Sequence, residues 1–422
     1  MRWKNVRIWL LIAVLSVAGI ASGVISVTGC FSNDVFGFDL RMRRNEILCA
    51  HQGVNSFRIW NRELVLPGFV PLTRPDRADV ERKDGDKVVH AYPAWHTLFF
   101  YFYGWLPELM CVALMTLAYV ACTWLVVGET LKEARVLCCS VAAGFALSMI
   151  SFSTIVCFAL LNYGMFLTAV FLLLRKFDNA ERPVLAGLCW AVMMIKPQVG
   201  LLLFWPLLWR EKYKTIVVAF VACTLASCVT AFLVKENPID LILQIPEIGR
   251  PYGGYTFVDK VLKPIFGDSV GMIWMGCFFC LSGLIAYGTR GVRDFLVASA
   301  PIVAFIPMWT YSGGYDHVIL FGWYLVTVVC ALKSKPWRCY WCALILVTVF
   351  KCAWSSAREC GLFNPAGKGW IYHMVAFGLD MLTVGASAAF AWLAYNRKLP
   401  KELLAGVAIS PGVFGIIISE RK

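Results

Sequence analysis

The chain is built as a series of apolar runs, most near twenty residues long, separated by short links rich in Lys and Arg. A run of about 20 residues crosses the hydrocarbon of a bilayer as an α-helix, which satisfies its backbone hydrogen bonds internally where no water is present to do so. Clear runs cover Ile8 to Val27, Leu109 to Val127, Thr215 to Val234, Val270 to Tyr287, Phe295 to Thr310, Val318 to Leu332, Tyr340 to Ala353 and Met374 to Tyr395. Composition agrees, since 59% of the 422 residues are hydrophobic and only 15% are charged. A soluble core of this size needs far less apolar surface. The fold class expected is all-α: a polytopic membrane protein with about twelve transmembrane helices once the weaker runs are counted.

A net charge of +13 would point a soluble protein toward nucleic acid. Here the cations sit in links such as Lys132/Arg135, Arg175/Lys176/Arg182, Arg210/Lys212/Lys214, Arg290/Arg293, Lys333/Lys335/Arg338 and Arg397/Lys398/Lys401. That is the positive-inside pattern, so the partner is a lipid bilayer and no nucleic acid is expected. It places these links and both termini in the cytoplasm. Residues 1–399 then form one transmembrane domain and residues 400–422 a cytoplasmic tail with an apolar patch, Val413 to Ile418. The N-terminal run is near full span length and lacks a small-x-small exit, so it reads as a retained helix rather than a signal peptide.

The seventeen cysteines lie mostly inside apolar runs, where Cys packs as a small hydrophobe. The CxxC pairs Cys277/Cys280 and Cys339/Cys342 lie within or at the edge of apolar runs, and neither they nor any Cys/His spacing indicates a metal. Cys30, Cys49 and Cys360 fall in outer loops, and Cys30 could pair with Cys49 in an oxidising compartment.

Two stretches break the simple pattern. Val136 to Leu174 is nearly continuous but carries polar Ser151, Ser153, Thr154 and Asn162 near its middle, which suits two helices meeting at the outer face. Val184 to Trp209 is interrupted by Lys196-Pro197-Gln198, and with basic links on both sides it must be a hairpin. Broken helices at membrane depth face protein or a watery cavity, so Lys196 is expected to line one.

The substantial loops are outer ones. The first, about residues 28–92, holds Asp34, Asp39, Arg41, Arg43, Arg44, Glu46, His51 and Arg58. It leads into Tyr92-Pro93-Ala94-Trp95-His96 and an aromatic run, Thr97 to Trp105, too short for a span and read as an interfacial or re-entrant helix. The second, about residues 235–268, contains Pro238, Pro246, Arg250, Pro251, Gly253, Gly254 and Pro264, a composition for irregular structure with short helices. The third covers Ser355 to His373.

Sugar transfer at a membrane surface needs a base for the acceptor hydroxyl, cations for a departing phosphate and a groove for a lipid tail. Asp39 lies in Phe38-Asp39-Leu40-Arg41-Met42-Arg43-Arg44. On spacing alone this is as well read as an amphipathic helix on the bilayer surface, with Asp39 balancing its neighbours and Asp34 a competing carboxylate. Lys196 is costly to bury and is either a snorkelling lysine or a phosphate ligand. Asp316 and His317 follow Gly313-Gly314-Tyr315 at the outer mouth of two helices and form either a plain turn or a proton-handling pair. Asp380, inside the last run, could mark an ion path.

These segments occur in an order that resembles glycosyltransferase family 87, polyprenol-phosphate-mannose-dependent mannosyltransferases with the GT-C membrane fold. Asp39 with Gly53 and Phe57 resembles the family's "DF…G.npY" stretch, and Tyr92-Pro93 its "YPP" motif. Asn162-Tyr163 resembles "GQ/GN", Ala186-Gly187 with Ile195-Lys196-Pro197 resembles "aG…KP", and Asp316-His317 resembles its "DH" turn. Ala94 stands in place of the second Pro, Leu161 in place of the Gly before Asn162, and Arg74 to Lys87 lengthens the first loop.

The resemblance implies an inverting transfer of a hexose, mannose in the family, from a polyprenyl-phosphate donor to an acceptor glycan or glycolipid. The site would lie on the outer face of a bacterial inner membrane. It implies Asp39 as general base and Lys196 and His317 against the phosphate or the sugar, with Arg41 or Arg44 adding charge. Asp316, Tyr92, Asn162 and Tyr163 join them as substrate-binding residues, with no metal or other cofactor. A secondary transporter is the rival from another class, supported by Asp380, Lys196 and the broken helices, though no half-to-half repeat accompanies them. A polymerase or ligase of lipid-linked glycans is a nearer rival.

Overall fold

The structure is a computed structural model and describes residues 36–55, 92–136, 139–243, 257–267, 269–309, 314–334, 337–359 and 369–404, with scattered helical positions between 10 and 24. Among these residues the chain is all-α. The first part comprises α1 (Phe38–His51), α2 (Ala94–Phe99), a 3-10 turn at Tyr101–Gly104, α3 (Glu108–Val136), α4 (Ser140–Leu160) and α5 (Gly164–Asn179). Then come α6 (Pro183–Met193), α7 (Pro197–Trp209), α8 (Tyr213–Val234) and α9 (Pro238–Leu243). A π-helical turn at Val258–Leu262 runs into Lys263–Phe266. The remainder is α10 (Ser269–Thr289), α11 (Phe295–Trp309), α12 (Asp316–Lys333), α13 (Arg338–Glu359), α14 (Gly369–Tyr395) and a final turn, Lys401–Leu404.

Among the described residues six helices are long and apolar enough to cross a bilayer: Glu108–Glu133, Ser140–Leu160, Tyr213–Val234, Ser269–Thr289, Asp316–Lys333 and Met374–Tyr395. The protein is therefore a membrane protein. Of the shorter apolar helices, α6, α7, α11 and the first half of α13, α11 is buried almost throughout. The N-terminal run packs on α4, where Ser148 Oγ lies 2.6 Å from Ser16 Oγ and donates to the Ile12 carbonyl at 3.2 Å. Small polar contacts of this kind hold helices together in lipid, where the hydrophobic effect does not.

Side-chain contacts sort the helix ends into two sets. At one end α1, the α4–α5 turn, the α6–α7 turn and the start of α12 meet at Asn162 and Lys196. At the other, α3, α5, the α7–α8 turn and the start of α11 meet in a buried ionic network. Arg175 donates to Glu133 Oε1 at 2.7 Å and to Asp294 Oδ2 at 2.8 and 3.0 Å, and Asn179 adds 3.0 Å to the same oxygen. Asp294 also caps α11, accepting from Val297 N at 3.2 Å. Arg210 joins in through Asp178 at 2.9 Å and the Val292 carbonyl at 2.6 Å. Removing one partner of a buried pair leaves the others charged and desolvated. Arg175→Met is expected to destabilise the protein by about 3–5 kcal/mol, read as a lower melting temperature in detergent. An unchanged melting temperature would refute the tying role of the network.

The interrupted run folds as expected into two helices with a sharp reversal at 194–196. Trp190 Nε1 donates to the Gly200 carbonyl at 2.8 Å, so the α7 start lies back against α6. A Cβ on Gly200 would sit 2.7 Å from the Met193 carbonyl oxygen, so only glycine permits that approach. Pro197 at the first position of α7 costs no hydrogen bond there. The long run Val136 to Leu174 likewise divides into α4 and α5 around Leu161-Asn162-Tyr163.

The first outer loop and the segment after it are placed as follows. First, α1 is not an amphipathic helix on a surface: Leu40 and the stretch from Arg43 to Ala50 are buried. Its charges are absorbed locally, by an Arg43–Glu46 ion pair one turn apart and by Arg44, whose guanidinium donates to the Leu106 carbonyl at 3.1 Å. Second, α2 buries Ala94 to Thr97 and rests on α8, with Thr230 Oγ1 donating to the Ala94 carbonyl at 2.9 Å. The segment is thus packed inside at its start, while Phe102 and Trp105 near its end are exposed. Cys49 is a buried free thiol, pushed up to about 12 by burial and then by nearby Glu46. Cys30, Asp34, Phe57, the stretch 74–87, Cys360 and the patch 413–418 lie outside the described residues. Asp380 is buried within α14.

Candidate active site

The site begins with how α1 is anchored. Gly37 precedes the helix with φ 68°, a left-handed conformation natural to glycine. Its amide donates to the Ala159 carbonyl at 2.8 Å, which ties the start of α1 to the end of α4. Asp39, in the first turn of α1, is thereby set beside the α4–α5 turn, at the positive end of its own helix.

The α4–α5 turn is itself tightly held. Leu161 ends α4 with φ 48°, a left-handed conformation unusual for leucine and costing on the order of 1–3 kcal/mol. The next residue, Asn162, returns its amide to the Cys157 carbonyl at 3.0 Å. The left-handed geometry accounts physically for glycine at this position in the motif that Leu161-Asn162 resembles. Burial of the Leu161 side chain accompanies the departure.

Asn162 joins three segments distant in sequence. Its Nδ2 donates to Asp39 Oδ2 at 2.5 Å, while its Oδ1 accepts from Gly164 N at 3.0 Å and from Lys196 Nζ at 3.3 Å. Lys196, 4% exposed at the α6–α7 reversal, also forms an ion pair with Asp316 at the start of α12. Asp39, Asn162, Lys196 and Asp316 thus form one hydrogen-bonded line contributed by α1, the α4–α5 turn, the α6–α7 turn and α12.

An aromatic cluster adjoins this line. Tyr92 stacks on His96 with centroids 4.8 Å apart, and His96 Nε2 is 3.1 Å from Tyr163 Oη. Tyr163 in turn stacks on Phe100 at 4.7 Å. The Arg43 guanidinium lies 4.6 Å from the centre of the Tyr92 ring. Burial pushes the Tyr92 phenol up to about 12, partly opposed by the positive charges of Lys196 and Arg43. Tyr92 is therefore a neutral hydrogen-bonding group at ordinary pH.

Of the residues singled out from sequence, Asp39, Asn162, Lys196 and Asp316 are in direct contact, and Tyr92 and Tyr163 line the neighbouring cluster. His317, half-buried, follows Asp316 on the same 3-10 turn. Arg41 and Arg44 turn instead toward the start of α3, Arg41 Nε 2.8 Å from Glu108 Oε1 and Arg44 at the Leu106 carbonyl. Arg43 is the cation that reaches the Tyr92 ring. Sequence reasoning did not single it out, although four residues after Asp39 it falls on the same helical face. His96, one turn beyond Tyr92, was passed over as well.

Chemically, the arrangement brings together a partly exposed carboxylate, a buried ammonium and a neutral phenol. Such a set can take a proton and stabilise developing negative charge. Comparison with curated proteins and with solved structures yields no match. Residues 90–241, the stretch that supplies Tyr92, His96, Asn162, Tyr163 and Lys196, match the family model of glycosyltransferase family 87, and the match supports a glycosyltransferase activity for this membrane protein.

Proposed function

We propose that the protein is a membrane-embedded inverting glycosyltransferase that moves a hexose, mannose in the first instance, from a polyprenyl-phosphate donor to an acceptor glycan or glycolipid. The observation that carries this reading is the meeting of Asp39 and Lys196 on Asn162, inside a membrane protein whose matching segment supplies two of the three. A carboxylate alone would serve many functions. A carboxylate and a buried ammonium on one amide suit a displacement in which a proton is taken at one end and phosphate charge grows at the other.

In the proposed reaction the acceptor oxygen attacks the anomeric carbon, its proton passes to Asp39, and the bond from that carbon to the phosphate oxygen breaks. The bonding electrons leave with polyprenyl phosphate. The donor is a phosphodiester with one negative charge and the product a monoester with more, so a cation binds the leaving state better than the ground state. That difference is what accelerates a reaction. Lys196 and His317 are assigned to the phosphate and sugar. The twelve-crossing GT-C arrangement, with both termini cytoplasmic and the site on the outer face of a bacterial inner membrane, belongs to the same reading.

The test is transfer by the purified protein in detergent from polyprenyl-phosphate mannose, using an extract of the native membrane as the acceptor source. The expected result is a mannosylated product formed without nucleotide sugar, with the anomeric configuration opposite to the donor's. Solute uptake into proteoliposomes with no transfer would replace this reading by a transporter.

A further inference from the structure

The amide of Asn162 has one workable orientation. Gly164 N–H and the Lys196 ammonium can only donate, and both are directed at one atom, which must be the carbonyl oxygen Oδ1. The Gly164 contact comes from the first residue of α5 and is fixed by the backbone. The NH2 group therefore faces Asp39, whose ionised carboxylate can only accept. Lys196 is in turn held from its far side by Asp316. Each member of the line constrains the next, from α12 back to the first turn of α1.

We infer that Asn162 is a positioning residue for Asp39: it pins carboxylate oxygen Oδ2 so that the other oxygen is left to receive the acceptor's proton. This assigns Asn162 to the protein's own base rather than to the substrate, and Lys196 with Asp316 to fixing Asn162 before any donor arrives. Three features support it. The Asn162–Asp39 contact is short, at 2.5 Å. Asn162 is itself buried at 2% exposure, which limits the access of water to its amide. Its turn is fastened on both sides, by Asn162 N to Cys157 O at 3.0 Å and Gly37 N to Ala159 O at 2.8 Å, which fixes amide and carboxylate to the same helix end. The inference rests on the proposal that Asp39 is the base.

The test is steady-state transfer kinetics of the full-length protein with polyprenyl-phosphate mannose and the native-membrane acceptor extract. Asn162→Asp keeps an acceptor oxygen for Gly164 and Lys196 but sets a second carboxyl against Asp39, so the two share one proton and Asp39 is no longer held as a free carboxylate base. It is expected to lower kcat about 100-fold, the scale of a misplaced catalytic group, with the donor KM changed by less than about threefold. Asn162→Ala should do the same. In the double variant Asp39→Asn/Asn162→Ala, kcat should fall no further than in Asp39→Asn alone, because a residue that acts through Asp39 has nothing left to position. A folded Asn162→Asp protein with wild-type kcat, or a double variant whose losses multiply, overturns the inference. Wild-type transfer by Asp39→Asn instead overturns the assignment of the base, and the two failures are read from different variants.

Discussion

Asp39→Asn is expected to lower sugar transfer by about 10²- to 10⁴-fold, the usual contribution of a general base, while the protein remains folded. The substitution keeps the size of the side chain and its place in the first turn of α1. It removes the charge proposed to take up the proton. The amide can still meet Asn162 through its own carbonyl oxygen, so the anchoring of α1 by Gly37 and the burial of Leu40 and Ile47 are retained. The companion variant Asp34→Asn is expected to transfer at close to the wild-type rate. Full activity in Asp39→Asn, or its loss only in Asp34→Asn, would remove Asp39 from the reaction. Melting temperature and elution volume distinguish a chemical loss from a folding one.

Lys196→Ala should be the second large effect, and it has two separable parts. Transfer should fall about 10²- to 10³-fold through loss of the cation facing the departing phosphate. Stability should fall by about 3–5 kcal/mol, because buried Asp316 loses the ammonium it is ion-paired with. The two parts come apart in Lys196→Ala/Asp316→Ala, where no buried charge is stranded: melting temperature should recover most of the loss and transfer should not. Recovery of both would mean that Lys196 acts only as the partner of Asp316. Lys196→Arg is not a conservative replacement here, since a planar guanidinium does not fit where a compact ammonium bridges Asn162 and Asp316.

Much of the membrane architecture was legible because span length is set by bilayer thickness and only helices satisfy the backbone in hydrocarbon. The ends of α8, α10 and α12 fall close to the runs Thr215 to Val234, Val270 to Tyr287 and Val318 to Leu332. The break at Lys196-Pro197 was legible for a local reason, proline and a charge inside an apolar run. The burial of α1 was not. A helix with three arginines reads as a surface element, and only the tertiary partners Leu106 and Tyr92, with Glu46 one turn on, reveal where those charges go. The same limit explains why Arg41 and Arg44 were favoured over Arg43. Helical periodicity separates the faces of α1, but which face meets the α4–α5 turn depends on the Gly37 tether. Asn162 was visible as a motif residue, yet its bonding to both Asp39 and Lys196 joins positions more than thirty residues apart on either side, and no local pattern encodes that. The ionic network around Arg175 was readable only as basic links, because its acidic members Glu133, Asp178 and Asp294 are scattered across three helix ends.

The central claim is that Asp39 and Lys196 serve one reacting centre from opposite sides of Asn162. An experimental structure of the protein with a non-transferable polyprenyl-phosphonate mannose bound tests it most directly. The expected result is a phosphonate oxygen within hydrogen-bond reach of Lys196 Nζ, about 2.7–2.9 Å, with the face of the anomeric carbon opposite the phosphonate turned toward Asp39. A phosphonate bound away from Lys196, or a sugar whose open face points away from Asp39, would contradict the account.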